Sequence, residues 1–194
     1  MGIKVDVRGD MGKIIADLRS VRRDVLDAAL PAAINKTIEQ AKNQTARQIK
    51  AVGYNLKIGD VKDGLTVRPA RSGQLTAKIT AKGRPLSLVK YGARQTARGV
   101  SVSVLNGRKV IAGAFIATMP NGHRGVYVRM GKAHKKVSKN GRTQWSGLPI
   151  KELYGPSIPD AANNQAVVDA VTAFIGQKFP ELLRAQIKRF GRKG

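Results

Sequence analysis

The sequence of 194 residues has no cysteine, so neither a disulfide nor a thiolate metal site is open to it. Aromatic residues make up 5% of the chain, too few and too scattered for a base-stacking platform. No run of eighteen apolar residues occurs, so no segment reads as a membrane-spanning helix, and no membrane is expected among the partners. The opening "MGIKVDVRGD" lacks the apolar core of a secretory signal. Asp6 stands where a myristoylation signal carries Ser or Thr. The largest gap is in acidic residues: after Asp63 the next carboxylate is Glu152.

What is present is positive charge. Lys and Arg number 36 against 12 Asp and Glu, a formal net charge of +24. Residues 1–63 hold twelve bases and eight acids, and residues 152–194 hold six and four. Residues 64–151 hold eighteen bases and no acid. A block of this kind cannot pair its cations internally. They face water, a polyanion or an acidic partner.

Hydrophobic spacing divides the chain into three parts. Residues 10–51 read as helix, with Asp10 as N-cap. Ile14, Leu18, Val21, Val25 and Ala29 form one stripe, and Ile34, Ile38, Ala41, Thr45 and Ile49 form a second on nearly the opposite side. Pro31 between them predicts a break or kink. The alternative is a long helix with its own core on one side and a neighbouring subunit on the other. Gly53 ends this region, and Asp60–Leu65 reads as one helical turn. The pattern then changes to period two. "LTAKITAK" alternates as a strand, "GVSVSVLNGRKVIAGAF" holds two strands joined through Asn106-Gly107, and "AFIATM-PNGHRG-VYVRM" reads as strand, turn and strand. Residues 66–130 are thus expected to form an antiparallel sheet of four to six strands. Residues 131–147 have no periodicity and read as a long basic loop. Val167, Val168, Val171, Phe174 and Ile175 make a helical stripe. Pro180 fits the first turn of a further short helix over Leu183, Ile187 and Phe190. The fold class expected is α+β within 1–194 as one domain: an N-terminal helix and C-terminal helices (160–190) packed on a twisted antiparallel sheet.

Few residues offer chemistry. His123 lies in the turn "NGHRG" and His134 in the basic loop, and neither has a partner at metal-ligand spacing. Ser157 lies between two prolines, with no Gly-x-Ser-x-Gly around it. No Walker loop or dinucleotide fingerprint is present. Neither a cofactor nor an enzymatic activity is expected. Only a cluster of Asp17, Asp24 and Asp27 around a metal would revive catalysis. The loop cations Lys132, Lys135, Lys136, Lys139 and Arg142 are candidates for contact with DNA or an acidic partner, by backbone charge and without sequence choice.

"LPIKELYGPSIPDA" follows that loop. Its prolines restrict the backbone, so it loses little entropy on packing. It reads as a crossover from sheet to terminal helix and also as a docking surface. Leu148, Pro149, Ile150, Leu153, Tyr154 and Pro156, together with Ile34, Ile38 and Ile49, are the candidate subunit-interface residues.

Three stretches, "GRPLSLVKYGARQTARGVSVSV", "GAFIATMPNGHRGVYVR" and "LPIKELYGPSIP", occur in this order after "INKTIEQAKNQTARQI". Together they resemble the minor tail protein Z family of phages and prophages, whose members are also described as tail completion proteins. The likeness runs over roughly residues 25–165 and is most specific in the last stretch. It implies a structural virion protein without catalysis, assembled in the host cytoplasm and placed at the head-proximal end of the tail. By analogy it implies a homo-oligomeric ring around the DNA channel, next to terminator, tube and connector proteins, with non-specific contact to packaged DNA. The alternative from the charge alone is a free-standing, sequence-independent nucleic-acid-binding protein.

Overall fold

Ala29, Ala33, Thr37, Ile38, Ala41, Thr45, Ala46 and Ile49 recur at helical spacing and are buried along one side of a 29-residue helix, α1 (Arg23–Ala51). The computed structural model describes residues 2–3, 21–131, 134–137, 143–146 and 149–192, and of 2–3, 134–137 and 143–146 the backbone alone. The expected N-cap Asp10 and the stripe residues Ile14 and Leu18 lie outside the described residues. The helix begins after Arg22, whose guanidinium grips Asp24 through Nη2–Oδ2 at 2.7 Å and Nε–Oδ1 at 3.1 Å. Two threonines sit on the buried face because their hydroxyls donate inward, Thr37 to Ala33 O and Thr45 to Ala41 O, both at 2.8 Å.

The break expected at Pro31 does not occur, and α1 runs through it. An interior proline costs roughly 3 kcal/mol. Leu30 and Ala33, on either side of Pro31, pack with Phe179, Leu183 and Ile187 of the last helix, α4 (Gln165–Gly191). One fully buried leucine contributes roughly 1.5–3 kcal/mol, so this layer offsets the loss. The same holds for Pro180, which lies inside α4 instead of opening a separate helix. The two helices run antiparallel, since the 30–33 region of α1 meets the 179–187 region of α4 and residues 40–47 share a recess with Phe174 and Lys178.

The chain divides into two compact units. The helical unit comprises Met1–Val52, Lys57–Arg84 and Ser157–Gly194. Besides α1 and α4 it holds α2 (Ile58–Asp63), β2 (Leu65–Arg68) and β3 (Lys78–Ala81), and β3 pairs on its other side with β1 (Gly2–Ile3). Asn35 of α1 ties down the connection after β2. Its Nδ2 donates to Ala70 O at 3.0 Å, and its Oδ1 accepts from Ala70 N at 2.7 Å. A short helix α3 (Ile158–Ala162) precedes α4. Ser157 and Asp160 form a capping box at its start: Asp160 N donates to Ser157 Oγ at 3.3 Å, and Ser157 N donates to Asp160 Oδ2 at 2.8 Å. The Ser157 hydroxyl also donates to Asp160 Oδ2 at 2.6 Å, and this bond first, then the one from Ser157 N, holds the Asp160 carboxyl below the usual aspartate range. Asn164 caps α4 by a single bond, its Oδ1 accepting from Ala166 N at 3.1 Å.

The strand unit comprises Gly53–Leu56 and Pro85–Pro156. Its strands do not join into the single sheet expected from the sequence. They form small antiparallel sheets. One has the order β5 (Arg94–Thr96), β6 (Gly99–Val102), β7 (Lys109–Ala112), and another the order β12 (Ile150–Glu152), β9 (Arg124–Arg129), β8 (Ala114–Thr118). β4 (Leu86–Ser87) pairs with β13 (Tyr154–Gly155), and a 3-10 turn over Leu88–Tyr91 follows β4. Asn106 and Gly107 both have positive φ, 41° and 106°, at the tip of the β6–β7 hairpin. The chain before that tip leaves the ladder to pair with Gly53–Asn55, through Asn55 N to Val104 O at 3.2 Å and Asn106 N to Gly53 O at 3.3 Å. Within residues 131–147, the segments His134–Val137 (β10) and Thr143–Ser146 (β11) pair antiparallel.

Candidate interaction surfaces

"LPIKELYGPSIPDA" takes the routing role. Ile150–Glu152 adds to β9, Tyr154–Gly155 pairs with β4, and Ser157 then caps α3. Its candidate interface residues divide by exposure. Pro149, Ile150 and Tyr154 are exposed, while Leu153 and Pro156 are half-buried. Pro156 is held through its carbonyl, which accepts from the hydroxyl of buried Tyr91 at 2.7 Å. Ile150 stands on β12, an edge strand, with Met130 beside it exposed as well. On α1, Ile34 is half-buried. Ile38 and Ile49 are 8% and 0% exposed, buried in the chain's own core, so a neighbouring subunit cannot reach them and they are withdrawn as interface residues. Leu148 lies outside the described residues.

The candidate DNA or acidic-partner residues fall mostly outside what the structure describes. Lys132, Lys139 and Arg142 are outside it. Lys135 and Lys136 are placed by their backbone on β10, across from Trp145 and Gln144.

A contact that sequence spacing does not reveal involves Glu152, the carboxylate that ends the acid-free block. His123 Nε2 lies 2.9 Å from both of its oxygens, and the Tyr154 hydroxyl donates to Oε2 at 2.7 Å. The pair is 29 residues apart in sequence and meets because β12 lies against β9. Gly125 leaves room for the carboxylate where it stands, since an added Cβ would lie 2.7 Å from Oε1. The Glu152 side chain is 12% exposed. Desolvation raises its pKa, but the hydrogen bonds from Tyr154 and His123 outweigh it, and the carboxyl is held below the usual glutamate range. The Tyr154 hydroxyl is pushed up in turn, first by its bond to that carboxylate. The arrangement is a brace joining a turn, β12 and β13.

Among the described residues, no three His, Cys, Asp or Glu side chains come together as a metal-ligand set. Of the three N-terminal aspartates, Asp24 is engaged by Arg22, Asp27 is exposed, and Asp17 lies outside the described residues. Among the described residues, no helix is long and apolar enough to cross a membrane.

The family model of prophage minor tail protein Z matches residues 9–193. The chain belongs to that family. As a member of the minor tail protein Z family it is a structural protein of the phage tail, part of the virion, and works among other tail proteins. No curated protein and no solved structure matches the chain.

Proposed function

We propose that this minor tail protein completes the head-proximal end of the tail and prepares it to join the head. In this account copies of the chain form a ring around the DNA channel, against terminator, tube and connector proteins, and the chain catalyses nothing. In the strand unit, exposed Pro149, Ile150 and Tyr154, with half-buried Leu153 and Pro156, support a role in contact between copies, and in the helical unit half-buried Ile34 is proposed to share it. The same role extends to Leu148.

One observation carries the reading furthest. Residues 85–156 hold thirteen Lys and Arg and one carboxylate, Glu152, which is already occupied by His123 and Tyr154. Such a unit has its counter-charge outside itself, in packaged DNA or in an acidic neighbour. Lys132, Lys135, Lys136, Lys139 and Arg142 are proposed to contribute to that contact.

The test is assembly without the chain. Tails formed in its absence are expected to fail to join filled heads, and added purified protein is expected to restore joining. Head joining at the normal yield without it overturns the proposal. The charge also supports a second function, as a free nucleic-acid binder. Such a protein would hold duplex DNA tightly in isolation, with affinity falling steeply as salt rises. A tail component would bind DNA weakly alone and incorporate into particles.

A further inference from the structure

A cleft of about 580 Å³ opens in the strand unit beside β5 and β8. Both strands are edges of their sheets. Arg94 of β5 and Arg124 of β9 line it, with apolar lining from Ala93, Ile116 and Ala117. Both arginines are exposed and pair in their ladders through backbone alone, and neither guanidinium makes a hydrogen bond or ion pair with another described residue. Arg108 is a useful contrast. Its Nη2 donates to Gly92 O at 2.8 Å and Ser101 O at 2.9 Å, and its Nε donates to Ser101 Oγ at 3.1 Å. That guanidinium is used up in holding the unit together, but its charge is not neutralised, so it adds to the positive field of the unit. The one carboxylate of residues 85–156, Glu152, is held by His123 and Tyr154.

Two details narrow what the cleft accepts. The exposed edge of β8 is already closed at its centre, because Ile116 N donates to Gln95 Oε1 at 2.9 Å. The Gln95 carboxamide is itself fixed, with Nε2 donating to Gly99 O at 3.1 Å. An incoming strand therefore does not gain Ile116 N–H as a ladder partner, and recognition falls to side chains. Secondly, the same cleft is lined by the two arginines and by alanine and isoleucine. An acidic amino acid matches both, with a carboxylate for the planar fork of arginine and methylene carbon for the apolar lining. A phosphodiester on the convex surface of a duplex makes use of the cations and leaves the apolar recess unfilled.

We propose that the cleft beside β5 and β8 receives a glutamate or aspartate side chain from an extended acidic segment of a neighbouring tail protein, with Arg94 and Arg124 holding its carboxylate. The inference deepens the tail-completion reading, and rests on it for the source of the segment. The binding chemistry itself stands on the cleft alone.

The probe is a fluorescein-labelled hexaglutamate peptide, followed by anisotropy with the full-length protein, next to a labelled duplex of mixed sequence. Arg94→Ala combined with Arg124→Ala is expected to weaken the peptide about tenfold or more, as expected for loss of charge-assisted contacts. Arg68→Ala, an exposed cation of the helical unit, is expected to change it less than about twofold. Duplex binding by the double variant is expected to fall no further than that of Arg68→Ala. Because both residues are exposed, thermal melting of the double variant should match the parent. The proposal is overturned if the double variant holds the peptide as well as Arg68→Ala does. It is equally overturned if the duplex loses as much affinity as the peptide, since the surface would then read phosphate. Normal head joining without the chain would remove the tail-completion reading and leave the peptide result standing.

Discussion

Replacing Asn35 by alanine tests how the helical unit is held. Asn35 meets the backbone of Ala70 twice, at 3.0 and 2.7 Å, and Ala70 is 4% exposed. Alanine removes both partners and leaves a buried N–H and a buried C=O without replacement. Each neutral hydrogen bond is worth about 1 kcal/mol net, and each orphaned buried group costs about 1–3 kcal/mol. With some relaxation, the expected loss is about 2–4 kcal/mol. Urea unfolding of the full chain measures it as a lowered midpoint with an unchanged slope. Asn35→Asp sharpens the test. A carboxylate keeps the acceptor for Ala70 N–H but sets an oxygen against Ala70 O, and protonation restores a donor. The aspartate variant should therefore be as unstable as the alanine variant at neutral pH and recover part of the difference near pH 4, relative to the parent at the same pH. A loss below about 0.5 kcal/mol for alanine would refute the reasoning, as would an aspartate variant whose deficit does not change with pH.

Gly99 has φ 146°, and a Cβ there would overlap the Ile111 carbonyl oxygen of β7, so Gly99→Ala should cost about 2–4 kcal/mol, read as a lowered melting temperature. The Glu152 carboxyl has a folded-state pKa below its unfolded value. Its contribution to stability is therefore complete above the ordinary glutamate range and is lost as pH falls through the lower folded value. The Glu152→Gln variant should accordingly show a stability deficit at pH 7 that shrinks below about pH 4, measured by denaturant midpoints across pH. A deficit of constant size would contradict the ionic role given to the brace.

The long helices and the hairpins were legible in the sequence because their signals are local. Apolar spacing marks α1 from Ala29 to Ile49, and Asn106-Gly107 marks a turn by its two positive φ values. The two prolines misled because a local rule assigns a break, and the packing that offsets it comes from residues about 150 positions away, Leu30 and Ala33 against Phe179 and Leu183. The opposed stripes misled in a similar way. Ile38 and Ile49 belong to the chain's own core, and a helical wheel does not say which side α4 covers. The division of the strands into small sheets was not legible, since period two gives a strand and says nothing of its partner. The candidate sites were legible as charge and not as geometry. The acid-free block is plain in the sequence, but the capture of Glu152 by His123 depends on β12 lying against β9. The cleft at Arg94 and Arg124 likewise depends on the placing of β5 beside β8.

The measurement that bears most directly on the central claim is an electron cryomicroscopy reconstruction of the completed tail joined to its head. The account predicts copies of this chain at the head-proximal end, with Arg94 and Arg124 against acidic side chains of an adjoining protein and the other cations of the strand unit against that protein or the DNA. Copies found elsewhere along the tail, or a strand unit whose cations face only solvent, would contradict it.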